Sequence, residues 1–169
     1  MDYPKKQEPM DIYTDILASK GKRFTNFIID NAVRFLLIAL MSIIAASLSI
    51  LFNNDDMLLW MQNISKIEDL MISYFILLLY FFLFEFLTQR TLGKLITGTK
   101  VVMADGTKPD LKAIFIRSVS RIVPFDAFSF LGDPPIGWHD RWADTVVVDV
   151  KKYNEAVRLK NSFDEIGKE

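Results

Sequence analysis

From Phe35 to Phe52 the chain runs 18 residues without a charge, FLLIALMSIIAASLSILF. A helix of that length and character can cross the hydrocarbon core of a bilayer, and this constrains the fold more than any other feature. The residues just before it break the pattern. Arg23, Asn26, Asp30 and Arg34 recur at helical steps, and at about 100° per residue they fall within about 80° of one another. The apolar helix therefore begins with one polar, charged stripe.

A second apolar block runs from Leu70 to Phe84, 15 residues before Glu85, and continues to Gln89. Leu70 to Gln89 is 20 residues, again the length of a span. Hydrophobic residues make up 51% of the 169-residue chain and charged residues 24%. The two kinds are gathered into separate blocks, as in a small membrane protein with aqueous segments rather than a soluble domain. A net charge of −1 gives no sign of a nucleic-acid partner. With no cysteine and one histidine, His139, disulfides, thiolate chemistry and the usual transition-metal sites are excluded, and no cofactor is expected.

The first 22 residues hold no apolar core, so no cleaved leader is expected and the first span is its own insertion signal. Lys20, Lys22 and Arg23 precede that span, and Arg90, Lys94 and Lys100 follow the second. The loop between them, Asn53 to Asp69, carries Asp55, Asp56, Glu68 and Asp69 against Lys66 alone. That bias places both termini on the cytoplasmic side, with Asn53 to Asp69 on the far side.

Outside the spans, residues 1–22 read as a cytoplasmic arm with a short surface helix near Asp11 to Ala18. Residues 23–150 form the membrane domain, and 151–169 a charged cytoplasmic tail. Ser42 and Ala46, and Ala45 and Ser49, sit four apart and offer a small-residue packing seam, or simply apolar filling. Lys100 to Met103 reads as a short strand before an Asp105-Gly106 turn, and Thr145 to Val150 as its antiparallel partner. Asp110 is the N-cap of a helix over Leu111 to Val123, ended by Pro124. Leu111, Ile114, Phe115, Val119 and Ile122 line one side of it, with Arg117 and Arg121 on the flank. Such a basic amphipathic helix lies in the membrane interface, packs on the spans, or both. The expected fold is a mainly α membrane protein: two transmembrane helices, this interfacial helix and a small cytoplasmic antiparallel β pair.

Asp30 lies about 10 Å beyond Arg23 along the helix. The second span returns to the same side, so Glu85 reaches similar depth, and an Asp30–Arg34–Glu85 cluster is expected. Three readings are open. The cluster carries a proton or cation, as intramembrane carboxylates often do; it is a static ion pair locking the helices; or the stripe from Phe24 to Arg34 faces water along the interface. Arg117 and Arg121 are candidates for lipid phosphates, although sequence-readable sites usually have more basic residues. Gly93 and Gly98 read as turns and Lys94 as a membrane-surface charge. The order of these residues is not that of a phosphate loop. His139-Asp140 lacks a nucleophile, and Asp140 is expected to fix the turn before the last strand by accepting from amides or an arginine.

Across roughly Lys20 to Val150 these residues resemble the RDD family of small bacterial membrane proteins, named for one arginine and two aspartates. The arginine corresponds here to Arg23, the first aspartate to Asp30, and the second to Asp140 in GWHDRWADTVVV. The stretch RTLGKLITGTKVV and the arginine-bearing helix are also similar to the family. The resemblance implies an integral membrane protein loosely associated with transport of an unidentified ligand. Many members have a third hydrophobic span after that helix; PFDAFSFLGDPP is too short for one. Two spans cannot enclose a polar route, so transport requires several copies or partner membrane proteins. The alternative is a structural or assembly subunit without transport of its own, and an enzyme is the least supported reading.

Overall fold

A computed structural model describes residues 15–166. Helix α1 spans Lys20–Phe52, entered through the Ser19 side chain, which accepts from the Lys22 amide, and left through Asn53 in the left-handed conformation. Helix α3 spans Lys66–Thr88, and its start is a capping box between Ser65 and Glu68. Both are long and apolar enough to cross a membrane. Their sides are covered by exposed Phe35, Leu36, Ile43, Leu51, Met71 and Phe75, a surface that lipid rather than water would suit.

The loop expected between the spans contains a further helix, α2 (Asp56–Asn63), with Met57, Leu59 and Trp60 exposed. Where the chain turns back, Ser49 Oγ donates to Asn54 O at 2.6 Å and to Asp55 at 3.0 Å. Ala45 and Ser49 are buried within this chain, so that edge of the small-residue seam is occupied by the chain itself.

Past Gln89 the chain folds back against α1 as α4 (Leu92–Thr97), which the sequence reading took for turns. Thr91 caps it at one end, and Gly98 closes it at a φ of 67°. Strand β1 (Thr99–Met103) then pairs antiparallel with β2 (Thr145–Asp149), Val101 facing Val147 in register. A third segment joins this pair: Leu17 bridges Val148, and the Ala18 amide donates to Val147 O at 2.9 Å. Ile16, Leu17, Val102, Val146 and Val148 form the small core there. The helix expected near Asp11 to Ala18 lies partly outside the described residues; within them, Asp15 and Ile16 are helical and Leu17 leaves for the sheet.

Helix α5 (Leu111–Ser120) is capped by Asp110, whose carboxylate accepts from the Ala113 amide at 2.7 Å. It stops one turn short of the expected Val123 because Pro124 follows, and the chain passes through Phe125 at φ 68° into a 3-10 helix, Asp126–Leu131. The face reading needs correction. Ile114 and Arg117 are fully buried, while Leu111, Phe115, Val119 and Ile122 are exposed. Carboxylates wait on the inner side, so the arginine turns in and the apolar residues turn out. Helix α6 (Trp138–Trp142) precedes β2, and the charged C-terminal stretch is helical as α7 (Val150–Ile166).

Candidate functional site

Helices α1, α3, α4, α5 and α6, the 3-10 helix and β2 send side chains into one ionic core. Arg117 is its centre: its Nε donates to Glu85 Oε2 at 3.0 Å, and its Nη1 donates to Asp140 and to Thr145 Oγ1. The planar fork thus ties α3 to α6 and β2 through two separate nitrogens held in fixed geometry. Glu85 also accepts from Lys94 Nζ at 2.9 Å and, at 3.4 Å, from Arg121. Asp140 accepts from Arg23 and, at 2.9 Å, from the Gly137 amide. Burial opposes the charge on Asp140, but Arg23 and Arg117 outweigh it and hold the carboxyl well below its ordinary range. Burial likewise opposes the charge on Arg117, and Glu85 and Asp140 overcome it and raise its pKa.

Asp30 is held differently. It accepts from Tyr80 Oη and Thr91 Oγ1, both at 2.7 Å, and from the Gly93 amide at 2.9 Å. Gly93 is required there, since a Cβ would lie 2.7 Å from Asn26 O. Asn26 sits between the hydroxyls of Thr97 and Thr99.

Beside the core opens a cleft of about 190 Å³. Arg23, Asp30, Arg34, Lys94, Arg121 and Asp126 supply its charged lining, and Phe27, Leu77, Phe81 and Phe125 much of its apolar lining. The Arg121 guanidinium lies 4.0 Å from the centroid of the Phe81 ring.

The family model for the RDD family matches residues 17–144, a stretch containing Arg23, Asp30, Glu85, Arg117 and Asp140. The chain belongs to the RDD family. No curated protein and no solved structure matches it. RDD proteins are membrane proteins, in keeping with the two apolar helices.

In this RDD chain the arginine of the sequence pattern and its second aspartate are ion-paired, Arg23 to Asp140. Among the described residues the first aspartate makes no ion pair; neutral donors hold it. Three expectations are corrected. The Asp30–Arg34–Glu85 pairing does not form, because Lys94, Arg117 and Arg121 occupy both oxygens of Glu85. Arg117 cannot meet lipid phosphates, because it is fully buried between two carboxylates; Arg121 shares Glu85 and lines the cleft. Lys94 is a buried member of the core and not a surface charge. The stripe of Arg23, Asn26 and Asp30 faces protein rather than water.

Tyr80 and Asp126 join the site without a sequence signal that singles them out, Thr91 joins it beside them, and Lys94 joins it from inside rather than from the surface. A threonine N-cap at Thr91 and a glycine stop at Gly98 would have flagged α4 and its inward Lys94. Nothing local flags Asp126. Its carboxylate accepts from the His139 amide at 3.0 Å and lies 2.7 Å from His139 Nδ1. Burial pushes His139 down from 6.5 to about 4, so the imidazole is neutral at pH 7. Nδ1–H then donates to Asp126, and Nε2 accepts from Arg23 at 3.3 Å.

A pH dependence follows. Between about pH 6.5 and 4 the unfolded chain binds a proton at His139 that the folded chain does not. Stability is therefore complete above 6.5 and falls as the pH drops toward 4. Asp126 and Asp140 are lowered carboxylates, and their contributions fade only further into acid. Between pH 7 and 5 the expected loss is about 2 kcal/mol. Melting of the purified protein at the two pH values, beside His139→Asn, measures it; an equal loss in both proteins would show that His139 is not the group responsible.

Proposed function

We propose that this RDD protein is a non-enzymatic subunit assisting transmembrane transport of an ion or small ligand. It resides in a bacterial inner membrane with both termini cytoplasmic and works with further copies of itself or with other membrane proteins. One observation carries the reading: a polar, partly open cleft sits at one end of a two-helix hairpin whose remaining length from Phe35 to Phe52 bears no charge. Such a chain can collect a charged ligand at one membrane face, and it needs neighbours to complete a route. Asp30, a carboxylate in that cleft held by neutral donors and without an ion pair among the described residues, is the group to follow for ion movement. The complete pairing of Glu85 and Asp140 favours a second reading, a structural or assembly subunit whose charges are a static lock.

Gentle detergent extraction followed by mass measurement of the particle tests both. The transport role expects a homo-oligomer or a stoichiometric partner, and reconstituted liposomes of that particle should show a cation or proton flux reduced by Asp30→Asn. A partner without flux supports the assembly reading. A lone chain without flux would remove transport altogether.

A further inference from the structure

The ionic core does not balance. Arg23, Arg34, Lys94, Arg117 and Arg121 are five cations, against four carboxylates, Asp30, Glu85, Asp126 and Asp140, with His139 neutral. Of the five cations, Arg34 is the one without an ion pair among the described residues, while Asp30 in the same cleft is held by neutral donors. Among the described residues the Arg34 guanidinium makes no ion pair and no hydrogen bond; the Phe35 ring lies 4.8 Å from the guanidinium carbon. Its Nε is buried without a partner, and so is the Nε of Arg121 on the other wall of the same cleft. Buried donors left unpaired are costly, and native structures rarely keep them unless a ligand or water completes them.

We propose that the cleft between Arg34 and Arg121 binds the phosphate group of an anionic ligand. Two guanidinium groups that line one cleft, each with a buried Nε lacking a partner, offer N–H donors of the kind phosphate oxygens accept. The space is adequate: about 190 Å³, against the roughly 10–15 Å³ that admits one water. Arg34 immediately precedes the uncharged run beginning at Phe35, so the site lies where the apolar span meets the polar layer of the bilayer. Phe27, Leu77 and Phe125 line the same cleft and suit the apolar part of a lipid. A phospholipid headgroup and a soluble phosphate are therefore both chemically admissible sources. Arg117, whose Nη2 is also unpartnered, does not line the cleft, and the Lys94 ammonium is held by Glu85 at 2.9 Å; Arg121 meets that carboxylate only through Nη2, at 3.4 Å, which leaves its Nε free.

The test is binding of inorganic phosphate and of a short-chain phosphatidic acid to the full chain, exchanged thoroughly into neutral detergent. Titration calorimetry would be run on the wild type, Arg34→Gln and Arg121→Gln. Arg34→Gln removes a cation that no described carboxylate pairs with, so a folded variant is expected. Binding of at least one probe to the wild type, weakened about tenfold or more in Arg34→Gln, supports the site. Binding of both probes points to a soluble phosphate; binding of the lipid alone points to a headgroup. Neither probe binding, or binding indifferent to both substitutions, overturns the proposal. Because no flux and no partner are read, its failure is distinct from failure of the transport role.

Discussion

Replacing Arg117 by Met will cost the protein more stability than any other single change in the core, about 3–5 kcal/mol or loss of the folded form. The substitution preserves much of the side-chain volume and removes the one group that touches both Glu85 and Asp140. Glu85 would retain Lys94 and Arg121, and Asp140 would retain Arg23, yet each would keep a buried oxygen that has lost its main donor. Arg117→Lys should fall between, because one ammonium can satisfy one carboxylate and leaves the other. The pair Lys20–Asp133, 3.8 Å apart with both side chains substantially exposed, serves as the control. Lys20→Met there should cost within about 0.5 kcal/mol. Thermal unfolding in a single detergent measures all three. An Arg117→Met protein that melts with the wild type would mean that the ionic core does not hold the helices to the sheet.

The second large effect is expected at Gly93. An added Cβ would meet the backbone of α1, 2.7 Å from Asn26 O and 3.0 Å from Asn26 Cα, as well as 3.0 Å from Asp30 Oδ1. Backbone cannot swing aside as a long side chain can, so Gly93→Ala must lift α4 off α1. That movement stretches the bond from the Gly93 amide to Asp30 and shifts Thr91 and Lys94, which share the same short helix and its cap. Overpacking and a weakened bond to a carboxylate together should cost about 3 kcal/mol. Gly98→Ala separates this from a general effect of glycine. Gly98 has a positive φ of 67° and nothing within 4 Å of an added Cβ, so its replacement should cost only about 1 kcal/mol. Equal losses at the two positions would remove the steric account of Gly93.

The two predictions mark where reading the chain stopped. The hairpin of spans was legible because apolar runs and caps are local: Phe35 to Phe52 is uncharged, and α1 and α3 end within a turn or so of the expected limits. The β pair was legible from β-branched runs beside turn residues, and β1–β2 forms in that place. The capping box at Ser65 and Glu68 is also a local pattern, whereas α2 before it lies in a stretch whose acidic residues read as loop. The polar stripe on α1 was correctly placed on one face, since periodicity gives a face. Periodicity does not say what that face meets. Depth puts Asp30 beside Glu85, and helical spacing adds Arg34 one turn beyond Asp30, yet α4 and α5 bring Lys94, Arg117 and Arg121 to Glu85 first.

What the sequence by itself determined is therefore the membrane character, the two long helices and the family, all carried by short-range pattern. Only the tertiary structure decided the pairing of charges. Ion pairs such as Arg23–Asp140 join residues 117 positions apart, and no local propensity encodes which carboxylate a guanidinium will reach. Burial then made each choice consequential, because a charge removed from water must find its partner inside the protein or outside it. Arg34, which has none among the described residues, is the position where that rule still asks for a ligand.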